Sequence, residues 1–300
     1  MSKKEVTAFS FALLACLIWS GNFLTARGVH EWIPPFGLAF WRWSVAIAVI
    51  TPFGLPHMRR QWSLICRHWK FLGVMGVLSV GAYNTLIYLA AHYTTTHHIA
   101  LISSTAPIWT LLLAGIIGTE RLSRYKVGGA VFAFTGSLVI IAQGNLQLLL
   151  QQEWNHGDIL LLLAAWIWAI YCIMLHYKPK DLHPLAFLNV IFGVGLLCIA
   201  PFYAWETIQG HPAPFTVEAW ISYGYTGIAA SVLAWGAWNY AVHGMGAVKA
   251  GLVYYTIPMF SGILAFVLLK EPIALYHVIG FALIFTGIVI SSLRKMGLAQ

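Results

Sequence analysis

The chain has 300 residues, of which 60% are hydrophobic and only 9% carry a charge. So few charged side chains cannot cover a surface in water, which excludes a soluble globular domain and indicates a membrane protein. The net charge of +8 does not predict a nucleic-acid partner, because most Lys and Arg residues flank apolar runs, as they do in the loops of membrane proteins.

Apolar runs long enough to cross a membrane follow one another along the chain. A helix of about 20 residues spans the hydrocarbon core of a bilayer. Charge-free runs of this kind occupy residues 6–26, 71–119, 127–152, 159–177, 182–205, 219–248, 250–269 and 272–293. The run 71–119 holds two spans, and residues 34–55 add one more that is interrupted only by Arg42. We therefore predict an all-α integral membrane protein with ten transmembrane helices.

The second half of the chain repeats the first. Residues 69–137 align with 220–288 at a constant offset of 151, and the preceding segments align at an offset of 149. Matched positions include Pro107 and Pro258, Glu120 and Glu271, and Trp19 and Trp168. Each copy holds five spans, an odd number, so the second copy starts from the opposite side of the membrane. We predict inverted five-helix repeats at 1–145 and 157–300, joined by an outer connecting loop at 146–156.

The basic residues also predict how the chain is oriented. If the N-terminus is cytoplasmic, 14 of the 17 Lys and Arg residues fall in cytoplasmic segments. The positive-inside rule favours this arrangement. We therefore expect a multi-pass protein with both termini in the cytoplasm.

Four of the predicted spans carry aromatic and amide side chains on one helical face. Residues three or four apart share a face of a helix, and the repeat places these faces in matched positions. The candidate substrate-binding residues are Trp19, Asn22, Asn84, Tyr88, Trp168, Tyr171, Trp235 and Asn239. An amide in hydrocarbon needs a partner or a wet cavity, which favours the asparagines. Aromatic residues also serve in helix packing or in the interfacial belt, and that interpretation stays open.

Two matched prolines interrupt predicted helices four and nine. Pro107 and Pro258 each remove a backbone hydrogen bond and kink the helix, so we predict a hinge at both positions. Side chains near the kinks form a second group of candidate substrate-binding residues, namely Thr105, Trp109, Tyr254 and Tyr255. The alternative is a tolerated kink in which nearby hydroxyl groups satisfy the freed carbonyl groups.

The predicted spans hold few ionisable groups. All nine carboxylates lie at span ends or in loops, so the sequence lacks the midplane acid that an exporter of cationic drugs would use. Arg42 is the one clear charge inside a span. It either snorkels to the outer surface or pairs with Glu31, or it contacts a substrate carboxylate. No spacing suits a metal ion, and no catalytic or cofactor-binding motif is present, so we expect no metal, no cofactor and no enzymatic activity.

Short motifs at matched positions resemble those of a known family. Residues 107–122 read PIWTLLLAGIIGTERL, and residues 258–273 answer with PMFSGILAFVLLKEPI. These segments resemble the EamA-type repeat of the drug/metabolite transporter superfamily, which implies a ten-helix exporter built from two inverted copies. Residues 167–172, together with His97 and His98, further resemble the aromatic amino-acid exporters of bacterial inner membranes.

The resemblance and the spans together give an expected function. We expect a secondary transporter that exports small metabolites, amino acids including aromatic ones, across a bacterial inner membrane by alternating access. Its expected partners are a small-molecule substrate and membrane lipid, and we expect a monomer. The alternative is an exporter of cationic drugs, or of purines or other metabolites, with the same fold.

Overall fold

The structure is a computed structural model that describes residues 3–94, 96–145, 147, 155–269 and 274–292. All regular secondary structure in these residues is helical. The helices of the first half are α1 (Lys3–Val29), α2 (Pro35–Arg60), α3 (Trp62–Arg67), α4 (Trp69–Ala90), α5 (Thr96–Ser103), α6 (Ala106–Ile117) and α7 (Arg124–Ile141). The predicted connecting loop at 146–156 lies mostly outside the described residues.

The second half begins at a capped helix. The helices are α8 (His156–Met174), α9 (Pro184–Ile208), α10, α11 (Ala247–Tyr254), α12 (Thr256–Leu269) and α13 (Leu275–Ser292), where α10 joins the segments Val217–Gly224, Tyr225–Leu233 and Ala234–Met245. The Asn155 side chain accepts a hydrogen bond from the Asp158 backbone over 3.3 Å, and Asp158 accepts from the Asn155 backbone over 2.9 Å. This capping box satisfies backbone N–H groups that the first turn of α8 leaves free.

Eight stretches of the described chain are long and apolar enough to cross a membrane. They are Lys3–Asn22, Pro35–Arg60, Trp69–Ala90, Ile99–Ile117, Arg124–Ile141, His156–Tyr177, Pro184–Ile208 and Ala247–Leu264. A shorter apolar helix lies at Leu275–Ser291. The fold is therefore that of a multi-pass helical membrane protein, while the count of ten helices stays a prediction.

Helix breaks lie next to both prolines. Helix α6 begins at Ala106, beside Pro107, and α12 begins at Thr256, beside Pro258. The hydroxyl groups of Thr105 and Thr256 donate to carbonyl oxygens three residues earlier, over 2.6 and 2.7 Å. They do not donate to the carbonyl groups four residues before each proline, which are those that a proline leaves free.

Two helices contain matched π-helical segments. These segments are Val77–Tyr83 in α4 and Tyr225–Leu233 in α10. At the repeat offset of 151, the first segment corresponds to residues 228–234, which overlap the second segment. A π-helical segment alters the regular pattern of backbone hydrogen bonds and often marks a functional site. In α10 the carbonyl oxygen of Ala230 accepts from Trp19 Nε1 over 3.0 Å.

Helices from the two halves pack against each other in matched pairs. Helix α2 lies against α9, and α7 lies against α13. Helix α1 packs against α10 and α12, while α8 packs against α4 and α6. The repeat relates the contact of α1 with α10 to that of α8 with α4, and the contact of α1 with α12 to that of α8 with α6. The contacts of α2 with α9 and of α7 with α13 each join two equivalent helices.

Glycines permit the close approach of α7 and α13. A Cβ atom at Gly136 would lie 2.6 Å from the carbonyl oxygen of Gly280, and one at Gly129 would lie 2.5 Å from that of Gly287. No side chain fits at these distances, and small residues of this kind let membrane helices pack backbone to backbone. The repeat offset relates Gly129 to Gly280 and Gly136 to Gly287. The contacts are crosswise, because Gly129 faces Gly287 and Gly136 faces Gly280.

Candidate substrate site

A cluster of aromatic side chains fills the centre of the bundle. Trp168 is 2% exposed, and its ring centroid lies 5.3 Å from that of Trp19 and 4.7 Å from that of Tyr83. The rings of Trp235 and Tyr254 lie 5.4 and 6.2 Å from it. These spacings are typical of favourable aromatic pairs. The cluster joins side chains of α1, α4, α8, α10 and α11, and so draws on both halves of the chain.

A small central cavity lies within this cluster. Its volume is about 10 Å³, which is room for roughly one water molecule. It is lined by Trp19, Asn22, Tyr83, Asn84, Ile87, Trp168, Trp235 and Tyr254. These residues give the central cavity an uncharged wall of aromatic surface with two amide groups.

Arg42 of α2 lies directly behind the two asparagines of the central cavity. Its Nη1 donates to Oδ1 of Asn84 over 3.0 Å, to Oδ1 of Asn22 over 3.2 Å, and to the hydroxyl group of Tyr88. Its Nε donates to Oγ of Ser231 over 2.6 Å. Helices α1, α2, α4 and α10 are therefore tied together through one guanidinium group.

The Arg42 side chain has no surface exposure, and Glu31 is exposed. The ion pairs found among the described residues join Lys126 to Glu120 and Lys249 to Glu5. The expectation that Arg42 snorkels to the surface or pairs with Glu31 is therefore wrong. The physical reason is that amide, hydroxyl and backbone acceptors satisfy the guanidinium inside the bundle, including the π-helical carbonyl group of Ala230 at 3.2 Å from Nη2.

A larger cavity, which we call the vestibule, opens on the face where α1 begins. Its volume is about 700 Å³, which lies in the range of small-molecule sites. The loops after α6, α8 and α10 line it, and beside it Lys249 pairs with Glu5 at 3.7 Å. Its inner end reaches Asn239, which accepts from the Tyr171 hydroxyl group over 2.8 Å and donates to the Trp235 carbonyl oxygen over 2.8 Å.

Charged side chains organise the rim of the vestibule. Glu120 accepts from the backbone N–H of Val248 over 3.0 Å and pairs with Lys126 at 2.7 Å. A carboxylate at the start of α11 satisfies free N–H groups and the positive end of the helix dipole. On the same rim, burial lowers the pKa of Lys178, whose ammonium group lies 5.1 Å from the ring centroid of Phe187.

The structure brings six predicted site residues together at the wall of the central cavity. They are Trp19, Asn22, Asn84, Trp168, Trp235 and Tyr254. Tyr88 contacts Arg42 behind the amides, and Tyr171 and Asn239 connect the aromatic cluster to the vestibule. The proposed role of these residues in substrate binding remains a prediction.

Three other predicted residues lie away from the central cavity. Trp109 packs against Trp166, with ring centroids 4.5 Å apart, and its Nε1 donates to Oγ1 of Thr105 over 3.2 Å. Tyr255 packs against Phe134 of α7, with ring centroids 6.1 Å apart. Thr105 and Tyr255 lie at the helix breaks, and Trp109 follows one of them, so helical spacing alone could not orient these residues.

Sequence reasoning missed Tyr83 and Ile87, which complete the wall of the central cavity. The two residues are four positions apart on α4 and share a helical face. The pattern of aromatic and amide side chains did not pair Tyr83 with an aliphatic residue such as Ile87. Tyr83 is the last residue of the π-helical segment, and its neighbour Asn84 also lines the cavity. No sequence pattern predicts a π-helical segment. Ser231, which accepts a hydrogen bond from Arg42, lies in the second such segment and was also missed.

An all-helical, multi-pass bundle with an uncharged central cavity and an open vestibule is the architecture of a membrane transporter. Comparison with known families agrees with this class. Residues 6–142 and 155–293 each match the EamA-like transporter family. The chain belongs to this family, which confirms the resemblance seen in its sequence.

Relatives along the whole chain are also transporters. The uncharacterized transporter YyaM of Bacillus subtilis (strain 168) is 27% identical over 284 residues, covering 93% of this chain and 92% of the relative. The aromatic amino acid exporter YddG of Salmonella typhimurium (strain 14028s / SGSC 2262) is 25% identical over 293 residues, covering 92% and 93%. A solved crystal structure, 20% identical, matches with a TM-score of 0.78 and covers 98% of this chain and 99% of the other. That likeness supports the fold alone.

Proposed function

We propose that the protein exports amino acids, including aromatic ones, across a bacterial inner membrane by alternating access. The observation that carries the proposal is the central cavity, where Trp19, Trp168 and Trp235 form the wall beside two asparagine amides. Aromatic walls bind aromatic side chains by stacking and contact. The relative YddG, described as an aromatic amino acid exporter, is in keeping with such a substrate.

The proposal includes ten spans in two inverted repeats. The two family matches divide the chain into halves close to 1–145 and 157–300. The matched helix pairs and the crosswise glycine contacts of α7 and α13 support a twofold relation between these halves. Helices α10 and α13 would supply the two spans beyond the eight that length and composition identify. The charge bias of the loops supports cytoplasmic termini.

In this orientation the vestibule faces the cytoplasm, where the substrate would enter. Contacts that support closure of the opposite side include Oδ1 of Asp158, which accepts from the Thr94 hydroxyl group over 2.9 Å. On the same side, Glu206 of α9 accepts from the backbone N–H of Gly37 over 2.7 Å. The central cavity has to widen before it holds an amino acid, and the breaks beside Pro107 and Pro258 are the proposed hinges.

The wall of the central cavity also bears on the competing substrates. An exporter of cationic drugs would hold its cation and a proton on a carboxylate, and none of the eight wall residues is one. Purines stack on tryptophan as amino-acid rings do, so the wall alone does not separate purine export from amino-acid export.

Counterflow in proteoliposomes tests the proposal. Vesicles that contain the purified protein are loaded with unlabelled L-tryptophan, and uptake of labelled L-tryptophan is competed with amino acids, nucleobases and quaternary amines. We expect aromatic amino acids to compete best and quaternary amines not to compete. Vesicles without protein set the background. The proposal would be contradicted if no amino acid showed counterflow while nucleobases or quaternary amines were taken up.

A further inference from the structure

We propose that Asn22 and Asn84 form a subsite for the carboxylate group of the transported solute, and that Arg42 positions these two amides. The inference rests on the proposed function, because it divides an amino-acid substrate between two parts of one site. The tryptophan cluster would take the side chain, and the paired amides would take the carboxylate.

Arg42 carries a buried positive charge. An arginine guanidinium group stays charged in proteins, and that of Arg42 has no surface exposure. No described carboxylate lies within the 4.0 Å that defines an ion pair with it. A buried cation inside a membrane is costly and marks a functional site by default. An anion that arrives with the substrate would supply the missing negative charge.

Arg42 fixes the orientation of the two amides. A guanidinium group only donates hydrogen bonds, so Asn22 and Asn84 must turn their oxygen atoms towards Arg42. Their Nδ2 donors are then the polar atoms left for the central cavity, which both residues line. Asn84 is 4% exposed, and its Nδ2 has no hydrogen-bond partner among the described residues. An unpartnered buried donor of this kind calls for an acceptor.

The amide nitrogens and the charge behind them define the chemistry of the ligand that fits this subsite. The two amide nitrogens present only N–H donors, and the positive charge behind them favours a negative group. A carboxylate has two acceptor oxygens and no donor, so it matches both features. A carboxamide would bring N–H groups of its own, and an ammonium group would be repelled. The ammonium group of an amino acid would instead lie over aromatic faces of the cluster, where cation–π attraction is available.

The test compares L-tryptophan with L-tryptophan amide, which has the same ring and ammonium group but no carboxylate. Uptake efficiency for both is measured in proteoliposomes with the wild type and with Asn84→Asp. The new aspartate would pair with Arg42 and fill the anion position. We expect the wild-type preference for the acid to fall by about 10-fold or more, through a higher KM for L-tryptophan. The maximal rate for the amide should be retained, which a general loss of structure would not allow.

Asn189→Asp is the matched control. Asn189 is also buried in a helix and donates to Oγ1 of Thr51 over 3.1 Å, but it lies away from the central cavity. The Thr51 hydroxyl group can donate to an aspartate instead, so this variant should keep the wild-type preference. Arg42→Gln should lower the preference as Asn84→Asp does, and Arg42→Lys should restore part of it because the charge returns.

The outcomes separate this inference from the proposed function. An unchanged acid-to-amide ratio in folded Asn84→Asp, or no preference in the wild type, overturns the subsite while amino-acid transport stands. Absence of all amino-acid uptake overturns the proposed function. The acid-to-amide uptake ratio is then measured with indole-3-acetate and indole-3-acetamide, which tests the subsite without an amino acid. If Asn84→Asp does not fold, thermal stabilisation of the wild type decides. The acid has to protect more than the amide, and equal protection overturns the subsite.

Discussion

Trp19 and Trp168 are 149 positions apart in the sequence, and their rings meet edge to face with centroids 5.3 Å apart. The two residues are equivalent positions of the internal repeat. Equivalent positions come into contact where the two halves of the chain meet, and in transporters built from inverted repeats that junction holds the substrate. This contact therefore links the sequence repeat to the central cavity.

Replacement of Trp168 by alanine should weaken binding of aromatic substrates. A stacking contact is worth about 0.5–1.5 kcal/mol beyond burial, which corresponds to roughly a 2- to 10-fold rise in apparent KM. Counterflow kinetics with L-tryptophan and L-alanine measure the effect, which should be larger for L-tryptophan. Trp166→Ala is the control, because Trp166 is 39% exposed and lies outside the central cavity. Equal kinetics for both variants would place the substrate elsewhere.

Gly136→Ala should destabilise the protein, whereas Gly128→Ala on the same helix should not. The added methyl group at Gly136 would lie 2.6 Å from the carbonyl oxygen of Gly280, but nothing lies within 4 Å of one at Gly128. Overpacking of this kind costs about 1–3 kcal/mol, while alanine in a helix is favoured over glycine by up to about 1 kcal/mol. Thermal unfolding in detergent measures both variants. Equal Tm values would contradict the close packing of α7 and α13.

No single carboxylate should be indispensable for exchange. The described Asp and Glu residues lie at helix ends or in loops, as Glu120 does on the vestibule rim, and not at the wall of the central cavity. Each of the nine acids in the chain can be replaced by Asn or Gln and assayed by counterflow. A variant that inserts and binds substrate normally but loses all exchange would point to a carboxylate shared by proton and substrate.

The orientation can be tested with single cysteines in a cysteine-free background. An impermeant maleimide added from outside should label cysteine at positions 147 and 211, which replace Gln147 and His211. It should not label positions 60, 125 and 180, which replace Arg60, Tyr125 and Lys180, because the charge bias predicts that they lie in the cytoplasm. Labelling at position 60 or 125 from outside would remove the ten-span arrangement, and labelling in permeabilised cells is the positive control.

The sequence predicted the features that follow from periodicity and repetition. Hydrophobic run lengths located the eight stretches that are long and apolar enough to cross a membrane. The fixed offset paired Trp19 with Trp168, and the rings of these two residues are in contact. The prolines marked the helix breaks, because a missing N–H group acts locally and does not depend on tertiary structure. These are effects of short range or of symmetry.

The features that the sequence could not predict depend on distant neighbours. The burial of Arg42 depends on Ser231, 189 positions away, and on a carbonyl group of the π-helical segment in α10. The position of Trp109 depends on the direction that the helix takes after the break before Pro107, and a hydrophobic pattern does not encode that direction. Both outcomes are set by packing between helices and not by spacing along one of them.

A crystal structure with 5-bromo-L-tryptophan is the most direct test of the central claim. The anomalous signal of bromine locates the ring without any assumption about the pose. We predict a bromine peak inside a widened central cavity, between Trp19, Trp168 and Trp235. A peak in the vestibule or on the lipid-facing surface, with these three rings still packed together, would contradict it.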